Sequence, residues 1–300
     1  MGRRVESGVQ LVRRRRPRLR RRLSPYALLG PGGLWLLIFF VVPLFFMASL
    51  SLQTGDLFQG FRNTWHFANF TDAISQYHVQ FVRSLIYGSV ATAGALVVSY
   101  PLAYWIAFRG GRHKTTYLLI MLLPFFVSFV IRTLAWEFIL SDNGIVLGTL
   151  KSWHLLPESF HVLATSGAVI AGIAYNFLPF MALPVYVALE RIDRSVVEAA
   201  RDLYASNVKV FTRVILPLSI PGVFAGVLLT FVPAVGDYLN AQILGGAGNR
   251  MIGNIIQLEY LEDFHYPIAA ALSFILMAAL LIGILVYARV LGTRQIEEYV

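Results

Sequence analysis

The chain has 300 residues, of which 57% are hydrophobic and only 14% are charged. About a quarter of the residues of a soluble domain are charged, so this composition excludes a soluble globular protein, and the high apolar content excludes a disordered one. The sequence therefore indicates a protein with several membrane spans. It contains no cysteine, which excludes disulfide scaffolds, iron–sulfur clusters and thiol nucleophiles.

The net charge of +9 is concentrated at the amino terminus. Residues 1–26 contain ten arginines and a single acid, Glu6. Nucleic-acid binding is one interpretation of such a block, but no aromatic side chains for base stacking are interleaved with the arginines. A basic block beside an apolar segment favours contact with anionic lipid. We therefore predict a basic cytoplasmic tail that contacts membrane lipid and no nucleic acid.

Apolar runs predict six transmembrane helices, because about 20 apolar residues are needed to cross the hydrocarbon core. The first run, 27–52, is too long for the apolar part of a signal peptide, and we interpret it as an uncleaved helix. The third run, 116–140, is less uniformly apolar, because the charged residues Arg132, Glu137 and Asp142 lie towards its outer end. A G-x-x-x-G pattern at 222–226 predicts close helix packing. The remaining predicted spans are 84–108, 116–140, 162–189, 214–237 and 266–288.

The distribution of basic residues orients the six spans. Twenty of the 25 lysines and arginines fall on the side that carries both termini, and five of these are in the connection 190–213. Because basic residues are retained in the cytoplasm, we predict that both termini are cytoplasmic. The outer connections are then 53–83, 141–161 and 237–265. The apolar segment Asn143–Leu150 is consistent with a short helix that lies on the membrane or dips into it.

The connection 190–216 is the only long cytoplasmic loop of this arrangement, and its sequence is helical in character. We predict a capping box, in which the Ser195 side chain covers an open backbone N–H and Glu198 reaches back. Apolar residues at three- and four-residue spacing then form one stripe: Val196, Ala199, Ala200 and Leu203. Two interpretations stay open at this point. The stripe packs against the membrane or the chain's own helices, or it docks into a groove on a partner protein.

Residues 198–200 (EAA), followed at the expected interval by 215–217 (ILP), resemble the EAA motif in membrane subunits of binding-protein-dependent ABC importers. The resemblance implies a coupling loop that sits in a cleft of a separate ATPase. The ATPase-coupling residues it implies are Glu198, Ala199, Ala200, Asp202, Tyr204 and Ala205. The family pattern has glycine where this chain has Tyr204. Because tyrosine does not adopt a left-handed turn freely, we predict the bend at 205–207, with Asn207 as the left-handed residue.

Three further stretches are similar to the spermidine/putrescine permease subfamily, and with the loop they cover most of residues 81–290. They are 131–136 with 143–144, 175–180 with 189–193, and 232–238 with 244–246 and 251–253. The resemblance implies an all-α integral membrane protein with the six-helix type I ABC importer permease fold, with its core at 81–290 and a cytoplasmic tail at 291–300. It also implies three partners in a bacterial cell membrane: an ABC ATPase dimer, a second homologous permease, and a periplasmic or lipid-anchored solute-binding protein.

Polar residues at membrane depth are costly, and they mark candidate positions on a solute pathway. Asp237 is the foremost candidate, since a carboxylate beside Tyr238 suits an organic dication through charge and cation–π contact. A helix cap at the interface is the alternative for Asp237. Glu137 and Trp136 in the third span are further candidates, although Glu137 also suits the outer interface. Asn176 in the fourth span either lines the pathway or bonds a neighbouring helix.

The chain shows no catalytic motif of its own. It has no P-loop sequence, and its six histidines lack the spacing of metal ligands. We therefore expect no enzymatic activity, metal or cofactor in this chain, with ATP and magnesium held by the partner ATPase. The predicted function is a permease subunit for a small polar solute, in the first place a polyamine. The alternatives are an amino-acid-like, phosphonate or metal-complex cargo, a stand-alone channel or secondary carrier, and a membrane-embedded enzyme, which the lack of a catalytic cluster disfavours.

Overall fold

A computed structural model describes residues 29–56, 58 and 60–296. The predicted basic tail, 1–26, lies outside the described residues. The chain divides into two compact units, 1–49 and 50–300. Helix α1 (Leu29–Ser51) begins in the first unit, contains a π-helical turn and is apolar and long enough to cross a membrane.

The second unit is helical apart from one antiparallel hairpin, formed by β1 (Gln53–Asp56) and β2 (Gly60–Asn63). Short 3-10 turns at Gly111–His113 and Leu123–Phe126 flank α3. Helix α9 contains a π-helical turn at Phe211–Ile215. The helices are α2 (Ala68–Arg109), α3 (Lys114–Leu122), α4 (Phe129–Leu140), α5 (Ile145–Ser152), α6 (Ser166–Asn176), α7 (Leu178–Glu190), α8 (Arg194–Asp202), α9 (Asn207–Val235), α10 (Leu239–Leu244), α11 (Ile252–Leu261) and α12 (Tyr266–Ile296).

Among the described residues, four unbroken helices are long and apolar enough to span a membrane: α1, α2, α9 and α12. Two further pairs reach that length only together. Residues 111–126 and 129–152 are bent by 86° at their junction, and α6 and α7 are bent by 47°. If each bent pair is one span, the number of spans is the six that the sequence predicts. The predicted uninterrupted helices at 116–140 and 162–189 are wrong, because the chain breaks both.

Proline accounts for the position of both breaks. Pro124 lies in the 3-10 turn after α3, and the backbone is extended at Val127 and Ser128 before α4 begins. Pro179 lies in the first turn of α7, where its missing N–H is tolerated. In both places, proline cannot donate a backbone hydrogen bond to the preceding turn, and its ring crowds the carbonyl four residues earlier. The breaks set α4 and α7 at new angles and bring polar residues towards the protein interior.

Helices α7 and α9 pack closely, and both contact α2. Two glycines allow this approach. A Cβ atom on Gly222 would collide with Ala188 and lie 2.6 Å from the Pro184 carbonyl oxygen, and a Cβ on Gly226 would lie 2.8 Å from the Met181 sulfur. The close packing predicted from the G-x-x-x-G pattern is therefore confirmed.

Candidate functional site

Asp193 caps the short helix α8, which lies between α7 and α9. Its side-chain oxygen accepts a hydrogen bond from the backbone N–H of Ser195 at 2.9 Å. This bond stabilises the ionised carboxylate and lowers the pKa of Asp193. The predicted capping box at Ser195 and Glu198 is wrong, because Asp193 already binds the N–H at the helix start and Ser195 lies inside the first turn.

Helix α8 has one side in the protein core and an apolar stripe outside it. Val197 is buried in the cluster that joins the end of α7 to the start of α9, and Ala200 packs against that cluster. Three apolar residues at helical spacing are exposed: Val196, Ala199 and Leu203. Packing against the chain's own helices therefore explains Val197 and Ala200 only. The exposed stripe has the character of an interaction surface.

A left-handed residue ends α8. The backbone N–H of Tyr204 donates to the Arg201 carbonyl at 2.8 Å, and that of Ala205 donates to the Ala200 carbonyl at 3.2 Å. These two bonds form a Schellman motif, which needs a left-handed residue at the position of Tyr204. Tyr204 adopts it, with φ of 58°. The predicted left-handed Asn207 is therefore wrong, and Asn207 is instead the first residue of α9.

The six residues that the resemblance assigns to ATPase coupling divide into two groups. Glu198, Ala199, Asp202 and Tyr204 are exposed, whereas Ala200 and Ala205 are half-buried against the core cluster. Arg194 and Arg201 of the same helix are exposed as well, so charged residues of both signs accompany the apolar stripe. This arrangement of an apolar centre with a mixed polar rim is typical of protein–protein interfaces.

A cavity of about 970 Å³ lies between α4, α7 and α9. Its lining is mostly apolar and includes the rings of Phe125, Phe129 and Phe177. The guanidinium of Arg132 lies 4.6 Å from the centroid of the Phe125 ring, while its Nε and Nη1 are buried without a hydrogen-bond partner among the described residues. Arg132 and Arg191 are the charged residues of the lining described here, which contains no acid.

Asn176 joins this cavity to a buried polar network. Its Nδ2 donates to Thr133 Oγ1 at 3.1 Å and to Asn240 Oδ1 at 3.0 Å. Asn240 in turn donates to Asp237 from its backbone N at 3.0 Å and from Nδ2 at 2.6 Å. Asn176 is one of the residues that line the cavity, and its buried Oδ1 has no hydrogen-bond partner among the described residues. The network holds α4, α6 and α10 together and leaves one amide oxygen free to accept a hydrogen bond.

The structure places the other predicted pathway residues away from this cavity. Asp237 is 7% exposed and binds Asn240 in α10, as the helix-cap alternative expects. Tyr238 is exposed, and Glu137 is half-buried. The Trp136 ring packs edge-on against Tyr175 with a centroid distance of 5.3 Å. Of the five candidates, Asn176 is the one that lines the cavity.

Glu259, Asp263 and His265 form a cluster whose potential metal-ligating atoms lie within 4.8 Å of one another. The spacing of these residues did not predict the cluster, because the three side chains converge only in the turn between α11 and α12. The carboxylate of Glu259 already accepts hydrogen bonds from the Tyr77 hydroxyl and from His265 Nδ1, the latter at 2.9 Å. These bonds link α2 to α11 and to the residue that precedes α12, so a structural role accounts for the cluster.

Sequence reasoning missed Thr133 and Asn240 as partners of Asn176, and missed the aromatic site around Arg132. The available signal was weak: small polar residues in largely apolar segments, and phenylalanines three and seven positions before an arginine. Such residues are common, and only the breaks around α4 and α7 bring them together.

A family profile described as "Binding-protein-dependent transport system inner membrane component" matches residues 99–292. The chain belongs to this family and is therefore a multi-pass inner-membrane transport subunit rather than an enzyme. It is 35% identical over 268 residues to the spermidine/putrescine transport system permease protein PotB of Haemophilus influenzae, covering 88% of this chain and 93% of that protein. It is 32% identical over 256 residues to PotB of Escherichia coli, covering 85% and 93%.

Solved structures share the fold. A bacterial ABC transporter involved in the import of the acidic polysaccharide alginate matches with a TM-score of 0.68 and 20% identity, covering 92% of this chain and 99% of that one. The MetNI methionine ABC transporter in an inward-facing conformation matches with a TM-score of 0.54 and 19% identity, covering 71% and 93%. These matches confirm the predicted all-α ABC importer permease fold.

Proposed function

We propose that this chain is the permease subunit of an ATP-driven importer and forms half of the translocation path for a polyamine such as spermidine or putrescine. The observation that carries the proposal is the direct connection between the exposed stripe of α8 and the cavity. Helix α7 lines the cavity along its length, and three residues separate its end from the start of α8.

The link from α8 through α7 to the cavity would allow a partner that moves α8 to change the cavity. Val197 fixes α8 to the core cluster at the end of α7. A salt bridge of 2.7 Å between Lys114 Nζ and Glu190 Oε1 ties the start of α3 to the same end of α7. A partner that displaces α8 therefore displaces α7, whose other end meets α6 at the bend beside Asn176. Closure of an ATPase dimer on α8 would in this way alter the opening of the cavity.

The partners follow from the family and from the placement of α8. The ATPase dimer would bind α8 on the cytoplasmic side, to which the basic residues of 190–213 assign this loop. ATP and magnesium would be held by that ATPase, with no cofactor in this chain. A second homologous permease and a periplasmic or lipid-anchored solute-binding protein would complete the importer. In support, the related alginate transporter has been solved in complex with a periplasmic protein.

The relatives named for spermidine and putrescine transport favour a polyamine as the cargo. The cavity has two features that suit an alkylammonium group: Asn176 in its lining has an Oδ1 without a partner among the described residues, and the faces of Phe125 and Phe129 attract a cation. The resident guanidinium of Arg132 already occupies a position over these two rings. A cationic solute would therefore have to displace this guanidinium from the ring faces.

An anionic or zwitterionic solute is the second candidate, and one observation favours it. Arg132 and Arg191 line the cavity without an acid among the described lining residues, and the Nε and Nη1 atoms of Arg132 have no acceptor among them. A ligand that carries both a hydrogen-bond acceptor for Arg132 and a donor for Asn176 would satisfy both side chains.

Purification of the tagged chain from detergent-solubilised membranes, followed by uptake of labelled spermidine into vesicles with and without ATP at the ATPase side, tests the proposal. We expect an ATPase and a second permease to co-purify, and uptake to require ATP. The assembled complex without spermidine uptake would favour the second candidate. Uptake without any ATPase subunit would contradict the importer and favour a channel or secondary carrier.

A further inference from the structure

The guanidinium of Arg132 lies at an aromatic site in the cavity wall, formed by the rings of Phe125 and Phe129. It is 4.6 Å from the centroid of the first ring and 5.8 Å from that of the second. Tyr175 adjoins the first ring at a centroid distance of 5.4 Å, and Phe177 adjoins the second at 6.0 Å. Clustered aromatic faces of this kind bind alkylammonium ligands in proteins. The site therefore suits such a ligand, but a cation of the chain itself occupies it.

The Arg132 guanidinium has few polar contacts that fix it at this site. It interacts with the hydroxyl of Tyr175, but its Nε and Nη1 are buried without a hydrogen-bond partner among the described residues. The described lining of the cavity contains no acid to pair with it. Buried donors without acceptors cost free energy, and a shift of the side chain into the open cavity would expose these two to water. The guanidinium can therefore leave the rings at little cost.

We infer that Arg132 is a tethered competitor, which occupies the aromatic site while the cavity holds no solute and yields it to an alkylammonium group of the solute. The inference rests on the proposed function, since it names the residue that limits how tightly the cavity holds a polyamine. A group on a short tether has a local concentration in the millimolar range or above at a site within its reach. Because only the protein with free rings binds the solute, this competition weakens the apparent affinity.

Competition from Arg132 suits a subunit that has to release its solute. A site on a conduction pathway must bind well enough to admit the solute and weakly enough to let it leave. Return of the guanidinium to the rings would displace the bound ammonium group. The same residue would then lower the affinity and raise the rate of release.

Replacement of Arg132 by a neutral side chain tests the inference. The measurement is equilibrium binding of labelled spermidine to the purified permease pair with its ATPase, without solute-binding protein, so that the cavity is the site observed. We expect Arg132→Gln and Arg132→Met to bind spermidine about tenfold more tightly than the wild type, and their maximal rate of ATP-dependent uptake to fall. Arg132→Lys keeps a cation within reach of the rings and should gain about twofold at most.

Two controls separate competition for the rings from a general effect of charge. Arg112→Gln removes the same charge at an exposed position outside the cavity lining and should leave spermidine binding unchanged. Phe125→Leu removes the nearer ring, so Arg132→Gln should gain less than about twofold in that background. A gain that persists without the ring would assign the effect to long-range repulsion and overturn the inference.

Free guanidinium ion provides a second measurement of occupancy at the site. At millimolar concentration it should weaken spermidine binding to Arg132→Gln, where the rings are free, and have little effect on the wild type, whose tethered guanidinium already competes. Sodium chloride at the same ionic strength is the control. Equal inhibition of both proteins by guanidinium would contradict a tethered competitor.

The failure of this inference is distinguishable from that of the proposed function. If the wild type takes up spermidine with ATP, unchanged or weaker spermidine binding by Arg132→Gln overturns the inference alone. Weaker binding would mean that Arg132 contacts the solute directly. An assembled wild-type importer that takes up no spermidine overturns the proposed cargo, and the inference with it.

Discussion

In most proteins apolar side chains are buried and polar side chains are exposed. Helix α8 and the network around Asn176 depart from this pattern in opposite ways. The first exposes apolar side chains, including Leu203 and Tyr204, in a segment outside the membrane spans. The second buries polar side chains between helices and pairs them with one another. Each reversal requires a partner. The partners of the network residues lie within the chain, and we propose that the partner of α8 is another protein.

The comparison predicts different consequences for changes in the two regions. A substitution in the network removes hydrogen bonds that hold α4, α6 and α10 together, so its effect falls on the free energy of unfolding. A substitution on the exposed side of α8 leaves the fold intact, so its effect falls on assembly and transport. The predictions below test this division, from the largest expected effect to the smallest.

Asn240→Ala should destabilise the protein by about 3 kcal/mol, because the carboxylate of Asp237 and the amide of Asn176 each lose a buried partner. Thermal unfolding in detergent measures the change as a lower midpoint. Gln242→Ala is the control, since Gln242 lies exposed on the same short helix. Equal midpoints for the two variants would contradict a structural role of the network.

Glu198→Lys should reduce ATP-dependent uptake about tenfold or more, because it reverses a charge on the surface that we propose docks the ATPase. Membrane insertion and the unfolding midpoint should stay unchanged, since Glu198 is exposed. Arg62→Glu, a charge reversal at an exposed position of β2, is the control and should transport normally. Normal uptake by Glu198→Lys would refute the coupling role of α8.

Protection of α8 against hydrogen exchange should fall at acid pH in the wild type. The folded protein lowers the pKa of Asp193, so the cap stabilises α8 above the unfolded pKa of about 4 and is lost as the pH falls through the folded value. Asp193→Asn keeps an acceptor for the Ser195 N–H and has no charge to lose. Comparison of the two proteins at each pH removes the intrinsic pH dependence of the hydrogen-exchange rate. A parallel decline in both would show that another group controls α8.

Tyr204→Gly should leave the free energy of unfolding within about 0.5 kcal/mol of the wild type. Relief of the left-handed strain stabilises the fold by about 1 kcal/mol, and the greater freedom of glycine in the unfolded chain offsets this by about 0.4–1 kcal/mol. Thermal unfolding is the measurement, and Tyr204→Ala, which keeps a Cβ atom in the strained conformation, is the control. A loss above 1 kcal/mol in Tyr204→Gly would mean that the ring packs within the chain.

The sequence predicted the apolar spans, the helical loop and the close packing at Gly222, because each depends on residues near one another in the chain. It misplaced the start of α8 and the bend after it. Aspartate and serine both cap helices, and the choice of Asp193 depends on where the backbone leaves α7. Tyr204 is left-handed because the hydrogen bonds that end α8 require it, which outweighs the preference of its side chain. The cytoplasmic position of both termini stays a prediction.

The sequence by itself determined a membrane protein with about six spans, its family resemblance and the helical character of the loop 190–216, since hydropathy and helical periodicity are local properties. Only the tertiary structure decided the site at the cavity. Asn176 meets Thr133 and Asn240 across 43 and 64 positions of sequence, and these contacts arise only when α4, α6 and α10 pack together. The tertiary structure likewise decided that Asp237 is buried and bonded to Asn240 while Asn176 lines the cavity, because burial depends on neighbours that are distant in the chain.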